Sequence, residues 1–105
     1  PEAERRELAE RCFDRCYCPE GAGRQLRAVV SDVGRAESLA SVRTPALVIH
    51  GEADPLVPIE CGRDTARRIP GASFHAVPGM GHEVTRGLVP VLVERIAQHV
   101  ERASR

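Results

Sequence analysis

Asp54 and His82 are the residues of this chain best placed to do chemistry. Asp54 lies in Ala46-Leu47-Val48-Ile49-His50-Gly51-Glu52-Ala53-Asp54-Pro55-Leu56-Val57-Pro58, and His82 in Gly79-Met80-Gly81-His82-Glu83. The first stretch reads as a buried strand running into a turn that presents a carboxylate. The second reads as a glycine-rich turn that presents an imidazole. An imidazole moves protons near neutral pH, and a carboxylate behind it fixes its tautomer and stabilises the imidazolium. Acid before histidine on successive loops is the order of a Ser-His-Asp type triad whose nucleophile comes first in the chain. Glu52 and Glu83 adjoin the pair as alternative orienting acids. His50 at the end of the strand and His75 within the next one read as structural, and His99 as a residue of a solvated helix face.

The nucleophile is missing from these residues. Ser31, Ser38, Ser41, Ser73 and Ser104 all lack the flanks of a Gly-x-Ser-x-Gly elbow, and no His-Gly-Gly type oxyanion motif occurs. Cys61 falls on the helix expected after the acid turn, which makes it a poor replacement.

The elements that must position the pair follow from periodicity. Glu2 to about Cys16 carries Leu8, Cys12 and Phe13 among charges and predicts a helix, which Tyr17-Cys18-Pro19-Glu20-Gly21 breaks. Leu26, Val29, Val30 and Val33 at helical spacing predict a second helix over Ala22 to Val33. Ser38 to Arg43 reads as a connector. Ala46 to His50 is the nearly continuous apolar run of a strand covered on both faces. Pro58 opens a helix to about Ile69, Ala72 to Val77 is a second strand, and Leu88 to Ala103 is an amphipathic helix with Leu88, Leu92, Ile96 and Val100 four apart. The fold class is α/β: two N-terminal helices (residues 1–43), then two parallel strand–helix units (residues 44–105), with strands joined by a right-handed crossover. Two strands with apolar faces and open edges need neighbours, so the chain is expected to form a homo-oligomer or to pair with a complementary segment.

Composition narrows the function classes. The 15 basic residues, all arginine, balance 15 acidic ones, leaving no field to attract nucleic acid or anionic lipid. Phe13, Tyr17 and Phe74 are the whole aromatic set, too few to make a base-stacking platform. No apolar run approaches the roughly 20 residues that span a bilayer. A start at Pro1 with no signal-peptide layout reads as a processed product or a fragment. Cys12, Cys16, Cys18 and Cys61 read as reduced thiols of a cytoplasmic protein, one or two of them buried; a disulfide or a metal site is the lesser alternative. No cofactor is called for.

Residues 44–100 strongly resemble the C-terminal part of α/β-hydrolases. Tyr17-Cys18-Pro19 with Gly23-Arg24-Gln25-Leu26-Arg27-Ala28 extends the likeness towards the branch of anthracycline methylesterases and related small-ester hydrolases. The resemblance implies that residues 1–43 lead from a cap region back to the core sheet. It also implies that Asp54 takes the acid's place and His82 the base's, and that the substrate is a small-molecule ester. It implies no activity for the isolated chain, whose counterpart segments would carry the nucleophile and the oxyanion hole. The alternative is a non-catalytic, oligomerising interaction module derived from a hydrolase.

Overall fold

A computed structural model describes residues 2–105, which fall into two compact units, one extending to Val33 and the other running from Gly34 to Arg105. In the first unit, α1 spans Glu2–Arg15 and α2 spans Pro19–Ser31. The second helix begins three residues earlier than its apolar spacing predicts. Pro19 occupies its first turn, where the missing N–H costs nothing and the fixed φ favours entry. Neither helix buries a residue. Phe13 and Tyr17 meet at 4.8 Å between ring centroids across the break.

The second unit carries the sheet. A short helix α3 (Arg35–Ser38) and a 3-10 turn (Leu39–Ser41) occupy the stretch expected to be a plain connector. Ser38 and Ser41 hold this stretch by donating their hydroxyls back to the carbonyls of Arg35 and Ser38. Strand β1 (Leu47–Gly51), helix α4 (Ile59–Arg68) and strand β2 (Ser73–Val77) follow, then a 3-10 turn (Arg86–Leu88) leading into α5 (Val89–Ala103). The strands are parallel, in register from Leu47 opposite Ser73 to Gly51 opposite Val77. Helix α4 packs against both strands and against the 35–41 stretch. Its inward residues are Gly62 and Ala66, small enough for close approach to the sheet.

The buried apolar residues are Ala66, Val77 and Met80, gathered under α4 and at the C-terminal end of the sheet. Most of both strands is only half-buried, where the apolar run predicts cover on both faces. Two strands and one packed helix do not supply two covering layers. The stripe predicted for the last helix divides: Leu88, which ends the 3-10 turn, and Leu92 in α5 are partly covered, while Ile96 and Val100 are exposed. His99 is half-buried rather than solvated. Three of the cysteines are exposed and Cys18 is intermediate, so none is the buried thiol expected. Among the described residues no cluster of His, Cys, Asp or Glu has a metal-holding arrangement, and no helix is long and apolar enough to cross a membrane.

Candidate active site

Both turns leave the C-terminal ends of parallel strands, the edge where open α/β sheets build their sites. They are tied to each other through the backbone. The Glu52 N–H donates to the Val77 carbonyl at 3.1 Å, and the Ala53 N–H to the Met80 carbonyl at 3.0 Å. Gly51 makes this approach possible. A Cβ there would lie 2.2 Å from the Met80 carbonyl oxygen and 2.6 Å from that of Gly81, inside any tolerable contact. On the other side, Gly79 takes a positive φ of 71°, the left-handed conformation that lets the chain turn within Pro78-Gly79-Met80. Met80 then drops into the core and His82 emerges beyond it.

Stitched in this way, the turns bring Asp54 and His82 together. His82 Nδ1 lies 2.8 Å from Asp54 Oδ2. A carboxylate only accepts, so Nδ1 carries the proton and Nε2 is the nitrogen left to exchange a proton with a substrate or nucleophile. The other carboxylate oxygen is held by its own turn: Asp54 Oδ1 accepts the Leu56 N–H at 2.8 Å and the Val57 N–H at 2.9 Å. The Asp54 side chain is 6 % exposed and the His82 side chain 50 % exposed, so the carboxylate is enclosed while the imidazole opens outward.

The electrostatics follow from those contacts. The Val57 amide above all, reinforced by the His82 ring and the Leu56 amide, outweighs desolvation and holds the Asp54 carboxyl down at about 2. Asp54 is therefore an anion throughout the range in which a histidine exchanges protons. Because the folded value lies below the unfolded one, the stabilisation is complete above the ordinary carboxylate range. It fades only as pH falls towards about 2. A carbon-13 titration of the Asp54 carboxyl should find its midpoint near 2, and a midpoint at 3.8 or above would contradict the three-bond cradle.

The remaining predicted residues are placed as follows. Glu52 and Glu83 are exposed beside the pair, and the carboxylate that meets His82 is Asp54's. His75 lies in β2, paired with Ile49. Ser38, Ser41 and Ser104 spend their hydroxyls on backbone carbonyls. Cys61 is exposed in the first turn of α4. The residue that sequence reasoning undervalued is His50. Its ring reaches the acid turn, with Nε2 3.0 Å from the Val57 carbonyl and 3.7 Å from Asp54 Oδ2. A glycine in the middle of α4, Gly62, was the available signal: a Cβ there would fall 2.5 Å from His50 Nδ1.

Residues 20–103 match the α/β-hydrolase family model described as TAP-like protein. Over 72 residues the chain is 35 % identical to rhodomycin D methylesterase DnrP of Streptomyces peucetius, an overlap of 69 % of this chain and 24 % of that one. The same figures hold for rhodomycin D methylesterase DauP of Streptomyces sp. strain C5. A shorter stretch of 47 residues is 40 % identical to acyl-protein thioesterase 1 of Gibberella zeae, covering 41 % of this chain and 20 % of the relative. The match thus spans about a quarter of the length of the methylesterases, 24 %.

Proposed function

The chain belongs to the α/β-hydrolase family, in its TAP-like branch, and from that membership we propose that it supplies the acid and the histidine of a Ser-His-Asp triad for hydrolysis of a small-molecule ester. The single observation that carries this reading is the 2.8 Å contact between His82 Nδ1 and an enclosed Asp54 that is already anchored by two amides. The methylesterase and thioesterase relatives favour ester chemistry. Residues 1–43 fit the return from a cap region to the sheet. No serine of these 105 residues has the flanks of an elbow, so this reading takes the nucleophile from another segment.

In the complete site, His82 Nε2 takes the proton of the serine hydroxyl as its oxygen attacks the ester carbonyl carbon. The carbonyl π electrons move to oxygen, and Asp54 stabilises the imidazolium thus formed. Collapse of the tetrahedral intermediate breaks the ester C–O bond, and His82 returns the proton to the departing alcohol. A water molecule, deprotonated by the same Nε2, then cleaves the acyl-serine. The isolated 105-residue polypeptide is expected to leave p-nitrophenyl acetate at its background rate. Joined to a nucleophile-bearing segment of the family, it should hydrolyse the ester in a His82-dependent way. Turnover by the joined form that is indifferent to His82 would overturn the assignment.

A second reading, an oligomerising module, is favoured by the apolar side chains left in solvent. They include Leu26, Val29 and Val30 on α2 and Val93, Ile96 and Val100 on α5. Faces of this kind are normally covered. This reading expects dimers or larger species of the polypeptide at micromolar concentration in analytical ultracentrifugation, and a folded monomer there would end it.

A further inference from the structure

His50 is polar, 12 % exposed at the side chain, and has no step of its own in the chemistry above. Its Nε2 faces the Val57 carbonyl at 3.0 Å; a carbonyl only accepts, so Nε2 carries the proton and donates it there. Val57 is engaged at both ends of its backbone, because its own N–H donates to Asp54 Oδ1 at 2.9 Å. Hydrogen bonds therefore run without interruption from His50 to Val57, from Val57 to Asp54, and from Asp54 Oδ2 to His82. The imidazole is fixed from behind by α4. The Gly62 backbone leaves a Cβ-sized space that the ring fills: a Cβ there would fall 2.5 Å from His50 Nδ1 and 3.0 Å from its Cγ. The same Cβ would lie 3.1 Å from His50 Cβ, so a side chain at position 62 crowds the root of the ring as well as its edge.

We propose that His50 is a positioning residue of the acid–histidine pair, its Nε2–H holding the Val57 carbonyl so that the Val57 amide keeps the Asp54 carboxylate aimed at His82. The proposal rests on the acid–histidine reading of Asp54 and His82. A packing residue alone would need shape in this position, whereas a positioning residue needs a donor at the Nε2 point. Gln places an amide N–H near that point, and Leu fills a similar volume without one. Gly62→Ala supplies an independent perturbation. It should favour the helix by about 1 kcal/mol on propensity, yet it must displace the ring.

The test is proton NMR of the His82 Nδ1–H, a short charge-assisted bond whose proton resonates far downfield, assigned by its loss in His82→Ala. His50→Gln is expected to keep both that resonance and the low Asp54 midpoint. His50→Leu and Gly62→Ala are expected to lose the resonance and to return the Asp54 midpoint towards the ordinary carboxylate range, with circular dichroism checking the fold. If His50→Leu fails to fold, His50→Gln decides: a native-like resonance supports the polar role, and a folded His50→Gln that has lost it overturns the proposal. Native spectra from a folded His50→Leu overturn it as well. Absence of the downfield proton from the unsubstituted protein would instead sink the acid–histidine reading, before any His50 variant is measured. In a nucleophile-bearing form, a loosened acid should lower kcat by about 10- to 100-fold with KM little changed, and His50→Gln should restore most of it.

Discussion

His82→Ala in a nucleophile-bearing form of the protein is expected to lower kcat for a short p-nitrophenyl ester by roughly 10⁴- to 10⁶-fold, with KM nearly unchanged. The expectation rests on what the ring does and does not touch. Half of the side chain is open, so its loss costs little packing, while its Nδ1 is committed to Asp54 and its Nε2 is the nitrogen left to serve as base of the proposed triad. Asp54→Asn should cost about 10⁴-fold by a different route. An asparagine can still accept the Leu56 and Val57 amides through its carbonyl oxygen. It then turns an NH₂ group towards His82, so Nδ1 must accept, Nε2 carries the proton, and the ring is the wrong tautomer to act as a base. Glu52→Gln and Glu83→Gln are expected to stay within a few-fold of the parent, because Asp54 already meets the ring. Stopped-assay initial rates on all four variants give the comparison. Retention of more than a tenth of the activity in His82→Ala would remove it from the mechanism.

How much of this was legible in the chain depends on the range of the interaction concerned. Asp54 and His82 stood out because each sits in a turn whose glycines and prolines announce it, directly after a run with strand periodicity. The parallel pairing followed from strand, helix, strand order, and α4 from Pro58 at its entrance. His50 was less legible. Alone at the end of an apolar strand it reads as a satisfied core histidine, and its partner is a carbonyl seven residues on that comes into reach only when the acid turn folds back. Gly62 carried a signal that periodicity cannot weigh: a glycine inside a helix costs about 0.5–1 kcal/mol relative to alanine, which implies close packing at that point. The start of α2 was misplaced because Pro19 and Gly21 together resemble a turn, although proline is equally at home in a first helical turn. The half-buried strands mark a limit of a different kind. A sequence records that a strand suits cover on both faces, and the covering layers need not come from the same residues.

The largest structural effect is expected from Gly51→Ala, a single methyl group. Built on the existing backbone, that methyl carbon would sit 2.2 Å from one carbonyl oxygen, that of Met80, and 2.6 Å from the next, that of Gly81. Both are main-chain atoms that cannot rotate away, so the two turns themselves must separate. Separation breaks the amide–carbonyl bonds from Ala53 to Met80 and from Glu52 to Val77, each worth about 1 kcal/mol net. It also lifts Met80, one of the few buried apolar side chains, out of its seat. Together with the strain of overpacking, the loss should reach about 3 kcal/mol or more. That is a large part of what a domain of this size has to spare. Gly87→Ala is the matched control: its Cβ would meet nothing within 4 Å, and its effect should stay within about 0.5 kcal/mol. Urea unfolding of both variants measures the difference. The local consequence is the more telling one, because the bonds that hold the sheet end together are the same bonds that bring Asp54 to His82. A Gly51→Ala protein that stays folded should therefore have lost the downfield His82 proton. If it kept both native stability and that proton, the site would not depend on the close approach of its two turns.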